Sequence, residues 1–347
     1  MLDAFQNPVE RCSLPRVDFL ATGGTIASVQ NERAPGATPT LTAEALAQSV
    51  VGIDEIAELR TVQVMQRPSP SITFLDLLGL RDEIEHRTAD GAAGVVVTQG
   101  TDTMEETAFA LDLLCPGQAP IVLTGAMRDP SRPGADGPAN LLAAVQVAAS
   151  TEVRGLGALV VMNDEIHGAR FVSKTHTSSL SAFQSRPAGP LGWVSEGRMA
   201  IATRPIGRFH VHVPSCTDVP PVALVRLGFD DDGRVLPALA GLGFQGAVIE
   251  GFGGGHVTPR MVPLVEHLAR EMPVVLASRT GSGETLHSTY RYPGSEIELL
   301  ELGLIPAGAL NGLKARLLLS LCLAAELPSK DILGALHALG MSSQPET

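Results

Sequence analysis

Residues 94–114 read GVVVTQGTDTMEETAFALDLL, and this stretch decides the fold. The apolar run 95–97 is short enough for a β-strand that is buried on both faces. Gly100 ends the run, and apolar residues then recur at helical spacing over 104–114. The pattern predicts a buried strand followed at once by a helix, which is the repeating unit of an α/β fold.

Polar residues occupy the junction between that strand and that helix. Thr101 and Asp102 place a hydroxyl and a carboxylate next to the positive end of the helix dipole. Thr103 stands three residues before Glu106, and this spacing predicts a capping box. Capping explains Thr103 and Glu106 but does not explain why Thr101 and Asp102 precede them. Because ligands bind at the carboxyl ends of strands in open α/β sheets, Thr101 and Asp102 are candidate site residues.

A second junction of the same kind lies near the start of the chain. The mostly apolar stretch 17–21 leads into the sequence TGGT at 22–25. Gly23 and Gly24 let the backbone turn sharply and let a ligand come close to Thr25. The alternatives are a Gly-rich turn with a solvated hydroxyl and a dinucleotide-binding loop, and the latter lacks its GxGxxG pattern. Thr25 is therefore a second candidate hydroxyl.

Predicted strands and helices alternate along the chain, so we expect an α/β fold of two domains with mainly parallel sheets and flanking helices. The predicted domains are a larger N-terminal one at 14–203 and a smaller C-terminal one at 221–345, joined by a linker at 204–220. We predict strands at 17–21, 59–65, 94–98, 120–123, 158–162, 222–227, 247–251 and 273–277. We predict helices at 43–50, 74–86, 104–114, 139–149, 258–272, 311–327 and 329–339.

Composition and charge exclude several classes of function. A hydrophobic content of 44% with 18% charged residues is typical of a compact folded protein. The net charge of −12 argues against nucleic acid or an anionic membrane as partner. Residues 1–15 carry charges and no apolar core of a signal peptide, so we expect a cytoplasmic protein. No metal site is expected, because the four cysteines are far apart: Cys12, Cys115, Cys216 and Cys322.

The two junctions together resemble the two signature motifs of the L-asparaginase family, the bacterial-type enzymes that deamidate free asparagine. The resemblance covers nearly the whole chain. It continues in the stretches TGAMR at 124–128, DGP at 136–138, VVMND at 160–164 and KAR at 314–316.

The resemblance implies a role for each polar residue at the junctions. Thr25 would be the nucleophile, and Thr101 would work with Lys174 on the other side of the scissile amide. Asp102 would bind the α-amino group of the substrate. A lysine that accepts a proton must be neutral for part of the cycle, which requires burial or a cationic neighbour. The alternative for Lys174 is an ordinary surface charge.

The family also implies a serine that binds the substrate carboxylate on the loop after the second strand. Ser69 is the first choice and Ser71 the alternative, although this stretch is also consistent with an extended linker. Arg67 would add positive potential or lie on the surface. Gly100 and the backbone carbonyl of Ala126 complete the substrate contacts that the resemblance implies.

The chain departs from its relatives at the lid and in the C-terminal domain. Well-studied members carry a tyrosine on a mobile loop after the nucleophile, and the stretch 29–40 contains none. Relatives also borrow an Asn and a Glu from a neighbouring subunit, and here His256 and Tyr290 fall near those positions. We expect Tyr290 to supply the missing phenol in trans, the alternative being an aromatic residue that packs under a turn.

The predicted function is hydrolysis of L-asparagine to L-aspartate and ammonia, with no metal or organic cofactor. A site that borrows His256 and Tyr290 predicts an obligate homodimer or homotetramer. Two alternatives remain: a related amidohydrolase acting on glutamine, and an amino-acid-binding protein on the same fold that lacks catalysis.

Overall fold

The computed structural model describes residues 13–30 and 37–340. The strands of the N-terminal domain are β1 (Arg16–Ala21), β2 (Ser28–Gln30), β3 (Ala37–Pro39), β4 (Glu58–Gln63), β5 (Gly94–Thr98), β6 (Ile121–Thr124), β7 (Ala158–Met162), β8 (Glu165–Gly168), β9 (Val172–Lys174), β10 (Phe183–Ser185), β11 (Gly192–Ser195) and β12 (Arg198–Ile201). Those of the C-terminal domain are β13 (Val222–Arg226), β14 (Gly246–Gly251), β15 (Val274–Ser278) and β16 (Ile305–Pro306). The helices are α1 (Ala43–Gln48), α2 (Phe74–Ala89), α3 (Met104–Leu114), α4 (Gly137–Ala149), α5 (Val262–Glu271), α6 (Glu296–Glu301), α7 (Gly312–Ala324) and α8 (Ser329–Gly340).

The larger sheet has the strand order β12-β11-β8-β7-β6-β5-β1-β4. Pairing is parallel from β4 through β1, β5 and β6 to β7. The chain runs from β1 to β4 on one side and then crosses to β5 on the other, so the connections change direction between β1 and β5. Ligands of doubly wound sheets bind at such a switch point, beyond the carboxyl ends of the strands. Both junctions predicted from the sequence lie there.

Helices cover both faces of this sheet. α2 and α3 pack on one face, where Leu77 and Phe109 are buried. α1 and α4 pack on the other, where Leu46 and Leu141 are buried. A strand such as β5 is therefore covered on both sides, which explains its uninterrupted apolar sequence. The predicted class, an α/β fold with a larger and a smaller domain and mainly parallel sheets, is confirmed.

The predicted capping box of Thr103 and Glu106 is wrong. Thr103 precedes α3, but its side chain caps no backbone group of that helix. Its hydroxyl instead donates to the carbonyl of Ser69 at 3.1 Å and accepts from Nε2 of Gln99 at 3.2 Å. The hydroxyl therefore ties two loops together, a tertiary use that local spacing does not reveal.

Short antiparallel strands complete the N-terminal domain and were not predicted. β8, β11 and β12 extend the large sheet at one edge, while β9 pairs with β10 and β2 with β3 as separate two-stranded sheets. Each has only three or four residues, too few for a periodic pattern. The predicted strand 59–65 is β4, and the predicted helix 258–272 opens with a 3₁₀ turn before α5.

The C-terminal domain has a four-stranded parallel sheet, β13-β14-β15-β16. Helix α7 packs between this sheet and α3 of the N-terminal domain. Leu318 and Leu321 of α7 belong to the same buried cluster as Leu111 and Leu113 of α3. The two domains therefore share one apolar core.

The stretch 204–220, predicted as a linker, lies against the N-terminal domain. Arg208 Nε donates to Asp112 Oδ1 at 3.1 Å, and Arg81 Nη1 donates to the carbonyl of Val213 at 2.9 Å. The domain boundaries themselves stay a prediction. Within the described residues no helix is long and apolar enough to cross a membrane. The described cysteines are free thiols, and Cys12 lies outside the described residues.

A buried histidine lies beside the outer strands. Nδ1 of His167, a residue of β8, forms a hydrogen bond with Ser185 Oγ at 2.9 Å. Nε2 of the same ring lies 3.3 Å from Glu165 Oε2. Burial lowers the pKa of His167 to about 4. Burial also raises the pKa of the Glu165 carboxyl. The imidazole is therefore neutral at physiological pH.

We predict that this histidine makes the fold sensitive to acid. Between pH 6.5 and 4 the unfolded chain binds a proton at His167 and the native chain does not, so stability falls as pH falls. Across this pH interval the free energy of unfolding should decrease by about 3 kcal/mol because of His167. Urea unfolding of wild type and His167→Gln from pH 7 to pH 4 checks it. Parallel pH dependences for the two proteins would contradict the prediction.

Candidate active site

Two glycines bring the loops after β1 and β5 into contact. Gly24 has a φ of 86°, and a Cβ placed on it would lie 2.2 Å from the nitrogen of Gly100 and 2.4 Å from its Cα. No residue with a side chain fits there without moving one loop. Since Thr25 and Thr101 each follow one of these glycines, the contact brings together the two candidate hydroxyls.

The local fold leaves the hydroxyl of Thr25 available. Thr25 starts a single 3₁₀ turn, Thr25–Ala27, and is half-buried. Thr22 holds the loop in place, because its nitrogen and its Oγ1 both donate to the carbonyl of Thr98, at 3.0 and 2.8 Å. Among residues 13–30 and 37–340, the Thr25 side chain has no hydrogen-bond partner.

Lys174 joins the second junction from a distant part of the chain. Its Nζ donates to Thr101 Oγ1 at 2.8 Å and to Asp102 Oδ1 at 2.7 Å. The lysine side chain is 13% exposed, whereas Asp102 is 65% exposed. Lys174 is thus mostly buried, with its amine on a hydroxyl and a carboxylate.

Glu105 is a member of this group that sequence reasoning missed. It is buried, and its Oε1 accepts the backbone N–H of Lys174 at 3.1 Å. The other oxygen, Oε2, has no hydrogen-bond partner among the described residues. In the sequence Glu105 is one of two acidic residues in the first turn of α3, where a helix dipole already accounts for them. Nothing in that pattern connects it to Lys174.

The loop after β4 contributes a third wall. A Cβ on Gly23 would lie 2.6 Å from the carbonyl oxygen of Arg67, so this loop packs directly on the loop of Thr25. The Arg67 guanidinium points elsewhere and pairs with Asp76 Oδ2 of α2 at 2.9 Å. Arg67 therefore acts through its backbone at this junction, and its charge is already paired.

Of the two candidate serines, Ser69 is the one that faces the junction. It is 2% exposed, and its Oγ has no hydrogen-bond partner in the described chain. A Cβ on Gly100 would lie 2.9 Å from that Oγ. Ser71 is exposed. Ser69 thus presents an unpaired hydroxyl beside Gly100.

A fourth loop follows β6 and carries Ala126. A Cβ on Gly125 would lie 3.4 Å from Thr101 Cγ2, so this loop borders the second junction. Asn140 of α4 fixes it by donating to the carbonyl of Gly125 at 3.0 Å and to Asp136 Oδ2 at 3.0 Å. Ala126 itself is buried. Its backbone is therefore held in place at the edge of the same site.

The assembled groups suit nucleophilic acyl transfer. The four loops hold unpaired hydroxyls at Thr25 and Ser69 and backbone N–H groups at the start of α3, and Lys174 of β9 places its amine on the Thr101 hydroxyl. No group of His, Cys, Asp and Glu in the described residues could hold a metal ion.

Comparison with known proteins identifies the family. The family model for the N-terminal domain of asparaginases matches residues 16–207, and that for the glutaminase/asparaginase C-terminal domain matches 221–335. The chain belongs to the asparaginase family.

Individual relatives agree over most of their length. The probable L-asparaginase of Deinococcus radiodurans is 39% identical over 330 residues, covering 92% of this chain and 96% of the relative. The L-asparaginase of Bacillus licheniformis is 35% identical over 311 residues, covering 89% and 95%. The crystal structure of a probable cytoplasmic L-asparaginase from Campylobacter jejuni superimposes with a TM-score of 0.84 at 32% identity, covering 93% of this chain and 99% of that one.

His256 and Tyr290, which the resemblance places near the positions that relatives borrow from a neighbouring subunit, form a cluster with Tyr292. The ring of His256 lies 5.4 Å from that of Tyr290 and 5.6 Å from that of Tyr292. Beneath them Glu296 is fully buried, accepts the backbone N–H of Tyr290 at 2.6 Å, and lies 3.4 Å from Nδ1 of His256. Within the described residues, no hydrogen bond, ion pair or ring contact joins this cluster to Thr25.

The stretch 29–40, which corresponds to the mobile loop of relatives, lies only partly within the described residues. It begins with β2 and ends with β3, which pair in antiparallel fashion, and residues 31–36 between them are outside the described part.

We predict that the contact between the two loops tolerates no side chain. Gly24→Ala adds a methyl group at 2.2 Å from backbone and also strains a positive φ. Gly52→Ala is the matched control, because Gly52 has a φ of 81° and no atom within 4 Å of the added carbon. Gly24→Ala should reduce the free energy of unfolding by about 2 kcal/mol more than Gly52→Ala. Equal losses in urea unfolding would contradict this.

Proposed function

We propose that the protein is an L-asparaginase that hydrolyses L-asparagine to L-aspartate and ammonia. The observation that carries the proposal is the amine of Lys174 between Thr101 and Asp102, at the sheet edge where the loop of Thr25 meets Gly100. Membership of the asparaginase family and the names of the relatives support it.

The proposed reaction has two steps. Thr25 attacks the side-chain amide carbon of asparagine, and backbone N–H groups near Thr25 and Thr101 stabilise the oxyanion. Ammonia leaves once the amide nitrogen has taken up the proton that the Thr25 hydroxyl loses. Water activated by Thr101 and Lys174 then attacks the acyl-enzyme and releases aspartate. The reaction as written requires no metal or organic cofactor.

The use of lysine in this chain supports a proton-accepting role for Lys174. Of 25 basic residues only three are lysines: Lys174, Lys314 and Lys330. Arginine serves nearly everywhere that a fixed positive charge suffices. An arginine remains protonated in proteins, whereas a buried lysine can lose its proton. A lysine at 2.8 Å from the Thr101 hydroxyl is therefore suited to remove a proton from it.

Substrate recognition is proposed at the walls of the same site. The exposed carboxylate of Asp102 binds the α-amino group, and the unpaired hydroxyl of Ser69 binds the α-carboxylate beside Gly100. The backbone carbonyl of Ala126 accepts the amide N–H of the substrate. With these assignments, the α-amino group, the α-carboxylate and the side-chain amide of asparagine each have one protein group to bind them.

Glutamine is a second candidate substrate, because the matching C-terminal family model is described as glutaminase/asparaginase. The two amino acids differ by one methylene, a difference that pockets distinguish by about 1–3 kcal/mol. We expect asparagine to have the higher kcat/KM, and ammonia release from both amino acids at equal concentrations measures the ratio.

Two substitutions test the proposed chemistry. Thr25→Ala should abolish ammonia release from asparagine, because the acyl acceptor is lost. Lys174→Arg retains the charge beside Asp102 but cannot accept a proton, so kcat should fall at least about 100-fold. Lys330→Arg, at an exposed position, is the control. A wild-type protein that binds asparagine without releasing ammonia would be a binding protein, which would refute the proposal.

We also propose a homodimer or homotetramer in which the His256 cluster of one subunit completes the site of another. Tyr290 is 45% exposed, so its ring is available to a neighbouring chain. The phenol is proposed to replace the tyrosine that the lid lacks. The likeness of the chain to family members over both domains supports this arrangement.

Subunit mixing tests whether Tyr290 acts in trans. Tyr290→Phe alone should lower kcat/KM, and an unchanged value would remove this phenol from the mechanism. If Tyr290 acts across the interface, Thr25→Ala and Tyr290→Phe subunits unfolded and refolded together recover up to about a quarter of wild-type activity, since half of the dimers then hold one intact site. Activity no higher than the mean of the separate variants would contradict a role in trans.

For localisation we propose the cytoplasm, supported by the name of the Campylobacter jejuni relative. Cell fractionation followed by an asparaginase assay tests this. No partner other than asparagine and further copies of the chain is proposed.

A further inference from the structure

The strand that carries Lys174 lies outside the large sheet. β9 has three residues and, among the strands of the described residues, pairs only with β10, in a separate two-stranded sheet. A short isolated hairpin is marginally stable by itself. Contacts from elsewhere must therefore hold Lys174 within 2.8 Å of Thr101 Oγ1.

Two side chains at the start of α7, in the C-terminal domain, make those contacts. Lys314 Nζ donates to the carbonyl of Arg170 at 3.0 Å and to that of Val172 at 2.5 Å. Asn311 Nδ2 donates to Ser173 Oγ at 3.2 Å. Three of the four residues before Lys174 are thus hydrogen-bonded to Asn311 or Lys314: Arg170, Val172 and Ser173.

Asn311 has a second task that makes the arrangement rigid. It is the N-cap of α7, and its Oδ1 accepts the backbone N–H of Lys314 at 3.0 Å. The same amide therefore starts the helix with one atom and binds β9 with the other. Because α7 is packed in the core shared by both domains, its first turn is a fixed support.

Burying the ammonium group of Lys314 costs desolvation free energy that a purely structural contact would not require. Its side chain is 1% exposed, and burial lowers the pKa of its ammonium to about 8, although Glu105 opposes the shift. An apolar side chain of similar length would fill the space without desolvating a charge. What an apolar side chain does not supply is a donor for the carbonyls of Arg170 and Val172.

We propose that Asn311 and Lys314 position the catalytic lysine: the first turn of α7 holds β9 so that the amine of Lys174 stays on the Thr101 hydroxyl. The role assigned to Lys174 rests on the proposed function. Asn311 and Lys314 are positioning residues, since they touch β9 and none of the proposed substrate contacts. The C-terminal domain thereby contributes to the site of its own chain, separately from any contribution to a neighbouring one.

A set of three substitutions separates this role from helix capping. Asn311→Ser keeps an N-cap residue but is too short to reach Ser173. Ser173→Ala removes the hydroxyl that accepts this hydrogen bond from Asn311. Asn311→Asp keeps the cap and lets the Ser173 hydroxyl donate to the new carboxylate, so it should restore the link.

We expect Asn311→Ser and Ser173→Ala each to lower kcat for asparagine by about fivefold to tenfold, with KM within twofold, because an error in position affects the reacting group more than binding. The double variant should be no worse than either single one, since both remove the same bond. Asn311→Asp should retain at least about half of wild-type kcat. Lys314→Met should lower kcat further, and Lys330→Met is its matched control.

Hydrogen exchange gives a measurement that does not depend on activity. The Lys174 amide, which donates to Glu105, should exchange faster in Asn311→Ser than in wild type or Asn311→Asp. Unchanged exchange together with unchanged kcat in Asn311→Ser and Ser173→Ala would overturn the proposal. Independent, additive losses in the double variant would do the same.

The outcomes also distinguish this inference from the proposed function. A wild-type protein that releases no ammonia from asparagine refutes the proposed function, and hydrogen exchange at β9 then decides alone whether α7 holds the strand. An active wild type with unaffected variants refutes the positioning role and leaves the proposed function intact.

Discussion

The approach of Gly24 to Gly100 is the constraint on which the rest of the site depends. The two loops leave the adjacent parallel strands β1 and β5, and their backbones touch because neither carries a side chain at the point of contact. The following residues, Thr25 and Thr101, are thereby brought to one crevice. Every other wall, from the loop of Ser69 to that of Ala126, packs on this pair of loops.

The amine at the crevice comes from outside the parallel sheet. The sheet provides hydroxyls, a carboxylate and backbone donors at fixed positions, but its loops provide no amine. Lys174 reaches Thr101 from a short hairpin that the large sheet does not include. The hairpin is supported by α3 through Glu105 and by α7 through Lys314. Precision in the site therefore depends on helix packing between the domains as much as on strand order.

Elements with strong periodicity were predictable, and contacts that join distant parts of the chain were not. The buried strand β5 and helix α3 follow from an apolar run and a 3.6-residue repeat, and their junction marks the site. The three-residue strand β9 leaves no periodic signal. For Thr103, local spacing suggested a cap, but a tertiary hydrogen bond to Ser69 uses the hydroxyl instead.

At the site, motif resemblance identified residues that periodicity did not, but it missed others. It pointed to Lys174, which no pattern of spacing could connect to Thr101 across 73 positions. It did not point to Glu105 or Asn311, because their function is to hold another residue and becomes visible only as a contact. The resemblance ranked Ser69 before Ser71 without revealing that Ser69 is buried and Ser71 exposed, because a Ser-Pro-Ser sequence carries no signal of burial.

The scarcity of lysine has a practical consequence for chemical modification. Of the three side-chain amines, Lys314 is fully enclosed and Lys174 is shielded by its partners, whereas Lys330 lies open on the first turn of α8. Reagents that acylate amines, including polymer coatings and resin linkers, therefore meet one readily accessible side chain. Among the side chains, conjugation would therefore concentrate at that one position on the first turn of α8.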